Sequence, residues 1–203
     1  MDQEARETAG GRGGRIRGSV LALVETAALT VALFVGVQAV VASPYQVQQV
    51  SMENTLQPDQ RVLVDKLTPR FSPYHRGDIV VFAEPGAPSG SPPLIKRVIG
   101  LPGDVVQLRD GHVVLDGVTL AEPYVYPGQV TLPETGQTRW VVPAGALFVL
   151  GDHRQDSRDS RTFGPVAIAN VVGRAWLSYW PLGRFEVLAT PTYPALSPQP
   201  TPR

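Results

Sequence analysis

Apolar residues run almost unbroken through positions 20–42, "VLALVETAALTVALFVGVQAVVA", with Glu25 the one charged residue among them. A helix over this stretch would rise roughly 34 Å, enough to cross a bilayer core of about 30 Å. After residue 43 the period changes. Short β-branched runs at 61–67, 78–83, 94–100, 104–110, 112–117, 139–143, 146–151 and 171–180 are bounded by Gly, Pro or Asp, which is the pattern of strands. Asp110-Gly111 and Asp116-Gly117 punctuate these runs as tight turns. No later stretch has helical spacing, so residues 43–188 are predicted to form a mostly β domain. The Gly- and Arg-rich residues 1–19 and the Pro-rich residues 189–203 are predicted to be disordered tails.

Charge orients the apolar run. Arg12, Arg15 and Arg17 precede it, so the positive-inside rule predicts a cytoplasmic N-terminus and an extracytoplasmic β domain. A cleaved signal peptide is the rival reading, but its apolar region is usually about 7–15 residues, shorter than this run. The length favours a retained anchor in the cell membrane. Glu25 sits about one turn inside the cytoplasmic end and receives no role. The formal net charge is zero, which leaves no overall basic footprint for nucleic acid. The chain has no cysteine, so disulfides, thiol nucleophiles and zinc–thiolate sites are excluded. His75, His112 and His153 have no metal-ligand spacing, and the phosphate-loop pattern is absent. No metal or cofactor is expected.

Three segments carry candidate chemistry. Ser51, in "VSMENTLQP", has no Gly-x-Ser-x-Gly setting and on its own reads as a helix or turn cap. Lys96, in "PPLIKRVIGLPGD", lies in a predicted strand with Leu94 and Val98 on its own face. It is either an edge lysine whose amine reaches water or a desolvated amine able to act as a base. Lowering a lysine pKa from about 10.4 to about 7 takes roughly 4–5 kcal/mol, within what burial supplies. Arg97 next door would help if its charge stayed near. A neutral amine could then deprotonate a serine without histidine. The third segment, "GDHRQDSRDSRTFGPV" (151–166), does not fit a calcium loop. It reads better as a network of Asp and Arg pairs fixing a loop.

Taken together, these segments resemble type I signal peptidases, membrane-bound serine–lysine endopeptidases that remove signal peptides from exported proteins. "SMENTL" (51–56) is similar to the family's Ser-Met-x-Pro-Thr-Leu, "RGDIVVF" (76–82) to its Gly-Asp-Ile/Val-Val strand, and "KRVIGLPGD" (96–104) to its lysine motif. "GDHRQDSRDSRTFGPV" resembles its Gly-Asp-Asn-Arg-x-x-Ser-x-Asp-Ser-Arg-x-x-Gly motif. The resemblance implies an antiparallel coiled β-sheet domain, with Ser51 as nucleophile and Lys96 as general base. It implies that Ser157 aims the lysine amine, that Asp159 and Arg161 form a supporting ion pair, and that Asp152 and Arg97 belong to the scaffold. Tyr45, Val47, Met52, Leu56 and Ile95 are expected near the substrate, although ordinary core is an equal reading for Val47 and Leu56. Secretory preproteins, the lipid bilayer and the secretion machinery are the implied partners. A maturation protease dedicated to one secreted protein, or an inactive tethered domain that binds exported chains, are the alternatives. Asn54 replaces the family's proline, His153 its asparagine, and Gln49 stands where some members carry an oxyanion-binding serine.

Overall fold

The computed structural model describes residues 19–36 and 41–196. Two compact units divide at Val41 and Ala42. In the first, helix α1 (Ser19–Gly36) has a mean hydropathy of 2.0 and would rise about 27 Å. Its two threonines hide their hydroxyls by donating to carbonyls one turn back, Thr26 to Ala22 and Thr30 to Thr26, each at 2.8 Å. This satisfies polar groups that a hydrocarbon environment would leave without partners. The predicted helix extended to residue 42, but Ala42 already belongs to the first strand. Of the predicted tails 1–19 and 189–203, residues 1–18 and 197–203 lie outside the described residues, as do residues 37–40.

The second unit is built on strands β1 (Ala42–Gln46), β2 (Arg61–Asp65), β3 (Ile79–Phe82), β4 (Leu94–Gly100), β5 (Val105–Arg109), β6 (His112–Leu115), β7 (Val118–Thr119), β8 (Arg139–Val141), β9 (Ala146–Leu150), β10 (Val166–Ala167), β11 (Val171–Trp180) and β12 (Glu186–Val187). A large sheet has the order β1-β2-β11-β3-β4-β9-β10, with β12 added to β11; a small sheet has the order β7-β6-β5-β8. Every pairing is antiparallel. This is the mostly β, antiparallel architecture predicted for the region. The β5–β6 and β6–β7 turns place Asp110, Gly111, Asp116 and Gly117 all at positive φ, as tight hairpin turns require. Among the described residues of this unit the one α-helix, α2 (Ser160–Phe163), is a single turn whose N-cap Asp159 accepts from the Arg161 N–H.

Strand β4 is interior, flanked by β3 and β9, and all its residues are buried. Its two faces serve different cores. Leu94 and Val98 pack with Val80, Phe82, Leu147 and Val149, while Ile95 joins Val47, Met52, Leu56, Val62 and Val64. Ile99, Phe148 and Leu150 face Val106, Leu115 and Trp140, which seats the small sheet on the large one. Lys96 is therefore no edge lysine: its strand has a neighbour on each side, and its amine has no route to water along an open edge.

Residues 189–196 differ from the tail predicted for them. The Thr190 hydroxyl donates to Asp78 at 3.0 Å, the Tyr193 and Tyr124 hydroxyls meet at 2.8 Å, and Tyr193 and Leu196 pack on the core under the small sheet. Prolines and small residues read as disorder, but one tyrosine with a buried partner and one apolar anchor are enough to dock the segment.

Candidate active site

The nucleophile candidate lies in a tight turn. Val50–Met52 form one 3-10 turn, followed by a β-turn in which the Thr55 N–H donates to Met52 O at 3.1 Å. Glu53 has φ −56 and ψ 149, and Asn54 has φ 86, which are the dihedrals of a type II turn. Its third residue must adopt positive φ and is usually Gly or Asn. Proline, held near φ −65, cannot occupy that position in this turn. The departure from the family's proline thus comes with a different turn. Asn54 also donates its side-chain amide to Tyr124 O at 3.1 Å.

Lys96 projects from β4 to this turn. Its Nζ lies 2.7 Å from Ser51 Oγ and donates to Ile95 O at 3.0 Å. Ser51 is 2% exposed and Lys96 0%. Burial of the amine is the largest influence on its pKa and lowers it from 10.5 to about 8. The charges of Asp159, Glu84 and Asp152 push it back up, and Arg161 pushes it down. The helping cation is therefore Arg161. Arg97, expected to help, turns to the other face of β4, where its guanidinium is neutralised by Asp152. In the neutral state of the amine the Ser51–Lys96 contact runs the other way, with the hydroxyl donating to the nitrogen.

The loop after β9 supports both residues. Arg97 grips Asp152 with Nε to Oδ1 at 2.8 Å and Nη2 to Oδ2 at 2.7 Å, and its guanidinium lies 4.1 Å over the Tyr124 ring. The Thr55 hydroxyl donates to Asp152 Oδ2 at 2.6 Å, tying the Ser51 turn to that pair. Arg161 donates to both oxygens of Asp159, each at 2.8 Å. Each loop acid thus has its own cationic or basic partner: Asp152 has Arg97, Asp159 has Arg161, and Asp156 has His153. The Ser157 hydroxyl, expected to aim the lysine amine, donates to Asp159 Oδ2 at 2.8 Å.

Several contributors were not singled out from sequence. Gly151 is the point of closest approach: a Cβ there would lie 2.2 Å from Ser157 Oγ and 2.5 Å from Ser51 O. Only glycine fits, and its place at the head of the loop motif was the available signal. Thr55 was visible inside "SMENTL". Arg154 is buried, donating to Gly151 O at 2.9 Å and to both oxygens of Glu122. Glu122 and Tyr124 lie in a stretch without periodic pattern, and nothing local marks them.

The expected substrate-binding residues come together, but as core. Val47, Met52, Leu56 and Ile95 are fully or almost fully buried in one cluster, with half-buried Tyr45 packed against it. The Tyr45 hydroxyl donates to Pro93 O. Gln49 is exposed, and its side chain makes no cap bond to the turn that follows.

A profile of the family described as "Signal peptidase, peptidase S26" matches residues 20–180. A signal peptidase I of Leptolyngbya laminosa is 38% identical over 83% of this chain and 83% of its own length. A signal peptidase I of Bacillus caldolyticus is 40% identical over 71% of this chain and 83% of its own. A crystal structure of a signal peptidase I from Enterococcus faecalis V583 aligns with a TM-score of 0.42 at 35% identity, covering 51% of this chain and 97% of that one. With most of its length matched in this way, the chain belongs to the signal peptidase family, peptidase S26.

Proposed function

We propose that this serine endopeptidase cuts N-terminal signal peptides from exported preproteins after small residues, with Ser51 as nucleophile and Lys96 as base. The observation that carries the assignment is the 2.7 Å contact between a buried amine and a serine oxygen, inside the segments that match the family. The Ser51 hydroxyl proton passes to Lys96 Nζ as Oγ bonds to the scissile carbonyl carbon. The carbonyl oxygen becomes an oxyanion, for which the Ser51 N–H is the proposed donor; such a donor is worth about 10²–10³ in rate. The C–N bond then breaks, and Lys96 returns the proton to the leaving amine. Water, deprotonated by the same amine, hydrolyses the ester and releases the signal peptide.

Substrate is proposed to add as a strand, placing alternate side chains against an apolar wall. Met52 and Ile95 flank the dyad in sequence, and Tyr45, Val47 and Leu56 belong to the same cluster. A wall already filled by such residues leaves room only for small side chains. Each surplus methylene turned away corresponds to about 1–3 kcal/mol. In this reading α1 anchors the chain in the plasma membrane with the N-terminus cytoplasmic, and preproteins arrive as they leave the secretion machinery. Trp176, Trp180, Leu182 and Phe185, all exposed around β11 and the turn after it, are proposed to rest on the membrane surface.

The test is cleavage of a model preprotein by the purified protein beside Ser51→Ala and Lys96→Ala. Cleavage by wild type and none by either variant is expected; a wild type no faster than the variants would remove the dyad reading. A set of unrelated preproteins in the same assay separates a general signal peptidase from a protease dedicated to one secreted protein.

A further inference from the structure

Position 153 carries histidine where the motif it resembles has asparagine. The ring, 13% exposed, is held from three sides. It stacks on Tyr126 with centroids 4.4 Å apart and planes 12° from parallel. Nε2 lies 2.9 Å from Asp156 Oδ2 and Nδ1 lies 3.1 Å from Glu53 Oε2. Among the described residues the buried Nδ1 has no partner in hydrogen-bond direction. With the ring protonated, the 3.1 Å approach to Glu53 is an ion pair. From the backbone, the His153 N–H donates to Ser51 O at 3.0 Å.

Glu53 connects this ring to the reaction. Its N–H donates to Val50 O at 2.9 Å. Val50 O and the Ser51 N–H are the two ends of one planar trans peptide and point in opposite directions. Holding the oxygen therefore aims the N–H. We propose that His153 is a positioning residue for the nucleophile, gripping residues 50–53 at Ser51 O through its backbone and at Glu53 through its ring, and so aiming the Ser51 N–H at the developing oxyanion. The proposal rests on Ser51 being the nucleophile. Asp156 anchors the ring from its own loop and Tyr126 fixes its plane. An asparagine amide donates only from its nitrogen, so its oxygen would face the second carboxylate; the protonated imidazolium has an N–H for each.

His153→Phe keeps the ring and its stack on Tyr126 but removes both nitrogens, and Glu53→Gln removes the charge from the other side. In preprotein cleavage by the full chain, kcat should fall about tenfold in each, less than the loss of an oxyanion donor itself, with KM within about twofold of wild type. His153→Gln should recover part of the loss. The double variant should be no slower than the slower single one, because both changes open the same clamp. The pH at which the rate rises, set by Lys96, should not move. Wild-type kcat in His153→Phe, or losses that multiply in the double variant, would overturn the clamp. Should His153→Phe not fold, the kcat of Glu53→Gln decides alone, and a wild-type value overturns it. Cleavage surviving in Ser51→Ala would sink the nucleophile assignment and the clamp together. An inactive Ser51→Ala beside a fully active His153→Phe sinks only the clamp.

Discussion

At the scale of single residues, the buried amine sets the pH behaviour. With its pKa lowered to about 8, roughly a tenth of Lys96 is neutral at pH 7. The rate should climb with pH through about 8 and then level off. Glu84 is among the carboxylates that raise this value, so Glu84→Gln should shift the rise to lower pH. The stability consequence has a definite sign. The folded lysine releases its proton near 8 and the unfolded one near 10.5, so the unfolded state holds more protons in that window and stability increases with pH across it. Below pH 8 the buried charge costs about 3 kcal/mol. Lys96→Met should therefore be inactive but at least as stable as wild type at pH 7, by chemical denaturation. The turn at Asn54 gives a second residue-scale outcome. Asn54→Gly keeps positive φ and should retain cleavage, whereas Asn54→Pro should lose most of it despite matching the family motif.

At the scale of elements, the site joins two loops through a strand. β4 presents Lys96 on one face and Arg97 on the other. Arg97 then holds Asp152, which holds Thr55 of the Ser51 turn. The ion pair is fully enclosed, so removing one partner leaves the other charged and dry. Arg97→Leu should cost about 3–5 kcal/mol in denaturant unfolding and lower activity through displacement of the 50–56 turn. The strands were legible in the sequence, because β4 and β11 run from hydrophobic start to Gly or Pro stop, and the Asp-Gly turns require their own dihedrals. The type II turn at Glu53-Asn54 was not, since Asn54 in place of the family's proline left the backbone of that turn unspecified. The bond from Ser157 to Asp159 was not legible for a related reason: the carboxylate is two residues away, but which polar group a hydroxyl meets depends on the loop's path.

At the scale of the whole molecule, the docked segment 189–196 links the chain's end to the active-site scaffold. Tyr193 meets Tyr124, and Tyr124 lies under the guanidinium of Arg97. Deleting residues 189–203 should lower Tm, where a disordered tail would leave it unchanged. Tyr193→Phe alone should cost about 1 kcal/mol, the net worth of one intramolecular hydrogen bond. Composition could not foresee this, because a proline-rich segment is short of apolar residues by count and docks here through Thr190, Tyr193 and Leu196.

Periodicity, turn chemistry and motif spacing, all properties of neighbouring residues, were enough to establish the apolar N-terminal helix, the mostly β domain, and the serine, lysine and acid–base loop as the chemistry to look for. Local patterns record backbone preference and which face of a strand is apolar, and they do so without knowledge of distant partners. The 2.7 Å contact between residues 51 and 96 needed the fold, as did the burial that lowers the lysine pKa, the division of Lys96 and Arg97 between opposite faces, and the grip of His153 on the nucleophile turn. Each depends on groups brought together from distant parts of the chain, and desolvation, ion pairing and close approach exist only once that packing has formed.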